Sequence, residues 1–123
     1  MKKYIYEQKI LDNIIKYKIL VGQNANENWQ ILDNSAKEDL WFHLADYPSC
    51  YTIIQKNVLE HDDIEENIRY YPEIVVVGAT HCKNHSKYKD NKNIRIVYTK
   101  VKNLKKGKEL GSVYIKNEEY IKI

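Results

Sequence analysis

A chain of 123 residues that is 43% hydrophobic and 30% charged has the composition of one globular domain built on a single modest core. No apolar run reaches the length of a membrane-spanning helix, and Glu7, Gln8 and Lys9 follow the N-terminus too closely for a secretory core, so a cytoplasmic location without membrane contact is expected. The net charge of +3 hides strong segregation: residues 1–26 sum to +3, 27–73 to −8, 83–108 to +9 and the last 15 to −1.

Tyr4 to Gln8 and Ile14 to Val21 read as two strands joined across Leu11-Asp12-Asn13, where Asp-Asn supplies turn chemistry. Gly22 ends the second strand. Asn24 and Glu27 have the spacing of a capping box, which predicts a short helix from Ala25 to about Leu32 with Trp29 and Leu32 on one face. Asp33-Asn34-Ser35 ends it. Leu40 to Leu44 and Tyr51 to Gln55 read as a second pair of strands around Asp46-Tyr47-Pro48-Ser49. Along the first of these, Trp41 and His43 point to one side and Phe42 to the other. The sequence leaves open which side faces the core.

An acidic stretch follows, with Ile64 and Ile68 at helical spacing and Pro72 as a stop. Ile74-Val75-Val76-Val77 is β-branched and would suit a strand. Yet Ile74, Val77, Gly78, His81, Cys82 and His85 recur on one face of a helix, and a helix from Glu73 to about Lys87 is the preferred reading. Gly78 would let that helix lie close on a sheet. Ile94 to Val101 is a strand and Asn103 to Gly107 a basic turn. Gly111 to Ile115 and Tyr120 to Ile123, joined across Asn117-Glu118-Glu119, close the domain. The expected fold class is α+β, a mainly antiparallel sheet with one principal helix and one short helix.

The chemistry-bearing residues point to binding rather than catalysis. Lys100 and Lys102 share strand parity, and Lys105, Lys106 and Lys108 sit on the adjoining turn. Five ammonium groups at one strand end suit a row of phosphates. The competing reading is a lysine-rich loop that is merely solvated. Trp41 and His43 would offer a stacking face to unpaired bases, against the alternative of a core aromatic pair with a hydrogen-bonded histidine. Asn24, at the start of the first helix, would help hold a phosphate or simply cap.

His81, Cys82 and His85 form H-C-x-x-H, but no H-E-x-x-H motif or C-x-x-C partner accompanies them, so neither a metal nor another cofactor is expected. The chain has no Gly-rich phosphate loop and no nucleophile elbow. Asp39, His43 and Cys50 are tied together by sheet adjacency alone, so the chain is not expected to be an enzyme. Cys50 and Cys82 read as reduced thiols. The residues read as a nucleic-acid-binding module, with RNA and DNA both open. The rival is a protein-interaction module that docks a partner on its acidic 57–73 segment.

The order of motifs resembles a known family. I-L-V-G-Q-N-A-N-E-N precedes D-L-W-F-H, then P-S-C-Y, then a helix, then I-V-Y-T-K-V-K-N-L-K-K-G-K-E-L-G. This is similar to the NFACT RNA-binding domain, NFACT-R, also called DUF814, over about Lys3 to Ile121. The features that carry the likeness are Gly22 with Asn24, Asp39 through His43, Tyr98-Thr99, Lys105-Lys106 and Gly111. The resemblance implies RNA binding in ribosome-associated quality control, with ribosomal RNA or tRNA as the target. The runs Asn93 to Thr99 and Asn103 to Lys106 look closest to the standalone form of the domain. No other NFACT domain accompanies this one, so no elongation activity of its own is expected. One departure stands out: Tyr51 replaces a histidine typical of the family.

Overall fold

The computed structural model of the protein describes residues 1–10, 13–56 and 73–123. Strands β1 (Lys2–Ile10) and β2 (Asn13–Val21) form a long antiparallel hairpin. Helix α1 (Ala25–Asp33) starts where the capping box requires: the Asn24 side chain accepts from the Glu27 amide at 2.9 Å, and Glu27 accepts from the Gln23 amide at 3.0 Å. Then come β3 (Leu40–Leu44), β4 (Thr52–Lys56), helix α2 (Glu73–Asn84) and β5 (Arg95–Lys100). The expected turn over the acidic segment, with Ile64, Ile68 and Pro72, lies outside the described residues.

The C-terminal quarter departs from expectation. A 3-10 turn at Val101–Asn103 leads into a short strand, β6 (Leu104–Lys106), where a basic turn was predicted. It pairs with β7 (Val113–Ile115), while β8 (Glu119–Lys122) leaves that hairpin and pairs with β5. Leu104 and Val113 supply the reason, since both pack on the core and hold an otherwise polar ribbon in place. Six strands order as β1-β2-β4-β3-β5-β8, all antiparallel, and β6-β7 form a separate two-stranded sheet. The architecture is α+β, with two α-helices among the described residues.

Both faces of the large sheet are covered. Leu40, Phe42 and Leu44 of β3 share a core with Tyr17 and Ile19 of β2 and with Ile74, Val75, Ala79 and Cys82 of α2. Trp41, Tyr51, Ile53 and Val97 form the second core with Ile31 and Leu32 of α1, and Leu104 and Val113 of the β6–β7 hairpin pack against it. The β-branched run 74–77 becomes helix because burial follows helical spacing: Ile74, Val75, Gly78, Ala79 and Cys82 are covered together. Helix α2 ends at Asn84, one turn earlier than the sequence suggested.

A Cβ on Gly78 would lie 2.3 to 2.8 Å from three ring atoms of Phe42, so only glycine allows α2 this close to β3. Phe42 is fully buried and has no room to yield. Gly78→Ala is therefore expected to destabilise the fold by about 1–3 kcal/mol despite its higher helix propensity. A urea unfolding midpoint unchanged from the parent would refute that packing.

Candidate nucleic-acid interface

The Trp41 and His43 face is not an open stacking surface. Trp41 is 1% exposed and Phe42 is fully buried, so both sides of β3 are core. The His43 ring lies parallel to Trp41 with centroids 5.7 Å apart, and Tyr51 meets both rings edge-on at 5.2 and 5.5 Å. His43 Nδ1 donates to the Leu44 carbonyl at 2.6 Å. Burial holds its imidazole below the ordinary histidine value. The expected stacking role of Trp41 is overturned by burial, and half-buried His43 has both its ring neighbours inside the protein.

Asn24 is likewise committed. Its side chain caps α1, and the Glu27 carboxylate already occupies the helix entrance. Capping is the role the structure shows for Asn24.

The five predicted lysines divide into two groups. Lys100 is 8% exposed and donates to Glu38 at 2.6 Å. Lys102 reaches the same carboxylate at 3.2 Å, but from the 3-10 turn that follows β5 rather than from the strand on which the expected shared parity relied. The Lys100 hydrogen bond, and then that of Lys102, keeps the Glu38 carboxyl below its usual range. Lys106 pairs with Asp33 at 2.6 Å and lies 4.9 Å from the Trp29 ring centroid. Carboxylates from the acidic part of the chain thus engage three of the five. Lys105 and Lys108 are exposed, with no ion pair among the described residues.

The basic segment is also divided in space. Tyr88, flanked by Lys87 and Lys89, packs on the core beneath α2. Leu104 and Val113, around which Lys105 and Lys108 sit, pack on the opposite core. The +9 of residues 83–108 is therefore presented on both sides of the sheet rather than as one patch.

An open groove of about 360 Å³ lies along the β6–β7 hairpin. Lys102, Lys105 and Lys116 line it together with Tyr114, Leu104 and Ile115. No acidic residue is among those that line it. Lys105 and Tyr114 are register partners across the two strands. Tyr114 is 59% exposed, and Lys116 lies two residues on with the same parity. Tyr114 and Lys116 escaped the sequence reading. The alternation Val113-Tyr114-Ile115-Lys116 carries the signal, but only after β6 is known to pair with β7.

His81 and His85 stack against each other and meet the Tyr4 ring at a tilt, and the Tyr4 hydroxyl lies 3.0 Å from His85 Nε2. Cys82 is buried between α2 and the sheet. Among the described residues no three His, Cys, Asp or Glu side chains cluster as metal ligands, and no helix is long and apolar enough to cross a membrane.

A family model described as "NFACT protein RNA binding domain" matches residues 3–117. The chain belongs to the NFACT RNA-binding domain family. It is 29% identical over 89 residues to the Rqc2 homolog RqcH of Bacillus subtilis, a match that covers 72% of this chain and 14% of that protein. The C-terminal part of the fibronectin/fibrinogen-binding protein from Streptococcus suis shares the fold, with a TM-score of 0.71 and 23% identity over 87% of this chain and 41% of that one.

On this member of the NFACT RNA-binding domain family, most of the signature proves to be architecture. A Cβ on Gly22 would lie 2.4 Å from Asn28 Oδ1, the atom that accepts from the Tyr51 amide at 3.0 Å. Asp39 accepts from the Ala36 amide at 2.8 Å. Tyr98 stacks on Phe42 and donates to Glu119 at 2.9 Å. Thr99 donates toward the Lys116 carbonyl at 3.2 Å and accepts from Asn103 at 2.9 Å. Gly111 adopts φ +85° against Ala25, and its carbonyl accepts the Tyr51 hydroxyl. Lys105 is the signature residue left facing the groove with no side-chain bond among the described residues.

Tyr51 therefore clamps the hairpin loop to the sheet. Burial pushes its phenol up to about 12, so the hydroxyl remains a donor across the working pH range. Tyr51→Phe should cost about 1–2 kcal/mol and speed amide exchange at residues 104–115; unaltered exchange there would refute the clamp.

His43, His81 and His85 all lie below the ordinary value of 6.5, each mainly through desolvation. The unfolded chain binds their protons more readily than the folded one. Their contribution is complete above about pH 6.5 and is lost as pH falls toward the folded-state values. The denaturant midpoint should fall between about pH 7.5 and 5.5, and His43→Gln should reduce that fall in part. A midpoint that rises over this interval would contradict it.

Proposed function

We propose that this domain is a non-catalytic RNA-binding module whose contact surface is the β6–β7 groove. Its target is ribosomal RNA or tRNA in ribosome-associated quality control. Membership of the NFACT RNA-binding domain family supports the ligand class. The relative named Rqc2 homolog RqcH supports the setting, although the chain spans only 14% of its length. The observation that carries the choice of surface is the groove, where Lys105 and Lys116 stand exposed with no acidic residue in its lining.

The physical case is electrostatic. Each lysine that meets a phosphate releases condensed counterions, so affinity falls with salt in proportion to the contacts made. Lys102 contributes although Glu38 shares it, because it remains 46% exposed. Lys108 lies on the loop between β6 and β7 and extends the same surface. Lys100 and Lys106 stabilise the platform: their carboxylate partners hold the strand end and the hairpin against the rest of the fold.

A fluorescently labelled, unstructured RNA titrated at several salt concentrations tests this. Contacts from Lys102, Lys105, Lys108 and Lys116 give a slope of about −2.8 in log K against log salt. Lys105→Ala with Lys116→Ala should halve that slope to about −1.4 and weaken binding roughly tenfold at physiological salt. Failure of the parent protein to bind at about 50 mM salt would sink the proposal. Equal binding to DNA of the same sequence would remove the preference for RNA.

A further inference from the structure

The groove holds one feature that charge alone does not use. Tyr114 presents an aromatic ring that is 59% exposed. The ring makes no aromatic or hydrogen-bond contact among the described residues. Its immediate neighbours on the same side are lysines: Lys105 directly across the ladder and Lys116 along the strand. Such a residue gains nothing for the fold by standing in water, and its strand is already anchored through Val113.

The backbone that carries Tyr114 is fixed. Beneath the hairpin, Trp29 Nε1 donates to the Ser112 carbonyl at 3.1 Å, and Lys106 is pinned by Asp33. The Lys116 amide donates to the Asn103 carbonyl at 3.1 Å, which closes the end of the ribbon. The ring is therefore held on a rigid ribbon, and an incoming base need not order a loop.

We infer that Tyr114 stacks on an unpaired base while Lys105 and Lys116 hold the flanking phosphates, so that the groove selects single-stranded RNA over duplex. This rests on the proposed RNA-binding role of the groove. An aromatic ring set between two cations matches the repeat of a single strand, base face beside phosphate. In an A-form duplex the base faces are already stacked and hidden, leaving the lysines as the only effective contact.

The intact domain is titrated with a ten-nucleotide unstructured RNA and with a blunt, fully paired two-stranded RNA duplex. The parent protein should bind the single strand more tightly. Tyr114→Ala should lose roughly 5- to 100-fold for the single strand. It should leave the salt slope and the binding of the RNA duplex unchanged. Tyr114→Phe should retain parental affinity. Tyr114→Trp should add a fluorescence quench on binding larger than any change the parent shows through Trp29 and Trp41.

If Tyr114→Ala binds the single strand like the parent while Lys105→Ala with Lys116→Ala weakens it, stacking is overturned and the electrostatic reading stands. If the lysine pair has no effect either, the groove is the wrong surface and both fall. Equal loss for single-stranded and paired RNA on Tyr114→Ala overturns the selectivity, because the ring would then serve the hairpin itself.

Discussion

Strand β3 is buried on both sides, and the architecture follows from that. Phe42 faces α2 across Gly78, while Trp41 faces α1 and the small hairpin. A sheet with two apolar faces needs two covering layers. The helix α2 supplies one. The short α1 is too small to supply the other alone, and the β6–β7 hairpin completes it. The hairpin that carries the exposed lysines is thus present because Trp41 and its neighbours require a lid.

Tyr51 links that lid to the sheet. Its backbone amide is held by Asn28 and its hydroxyl by Gly111, so one residue ties β4, α1 and the hairpin loop together. Gly22 makes room for Asn28, and Gly111 supplies the backbone turn that receives the hydroxyl. A histidine at this position would offer a shorter reach and a titratable ring. Tyrosine instead gives a donor that does not change protonation near neutrality.

Electrostatics in this domain combine attraction within the fold with attraction outward. Glu38 and Asp33 bind Lys100, Lys102 and Lys106 at the seams between the sheet, α1 and the hairpin. Exposed pairs of this kind add little stability individually. Their effect is to orient the hairpin so that Lys105, Lys108 and Lys116 face solvent. Counting lysines in sequence overstates the surface charge available to phosphate, because part of it is spent on positioning.

The sequence by itself determined the fold class, the capping of α1, the helical state of residues 73–84, and membership of the NFACT RNA-binding domain family. These are local or patterned properties: a cap needs four residues, and a helix face needs spacing. It also located the basic segment that contains Lys105. Only the tertiary structure decided that Trp41 is core, and that Lys100 and Lys106 are paired while Tyr114 and Lys116 join Lys105. Each of those outcomes depends on which strand lies beside which and on what covers each face. Alternation within a strand shows that Trp41 and Phe42 part company, but burial is decided by neighbours far along the chain.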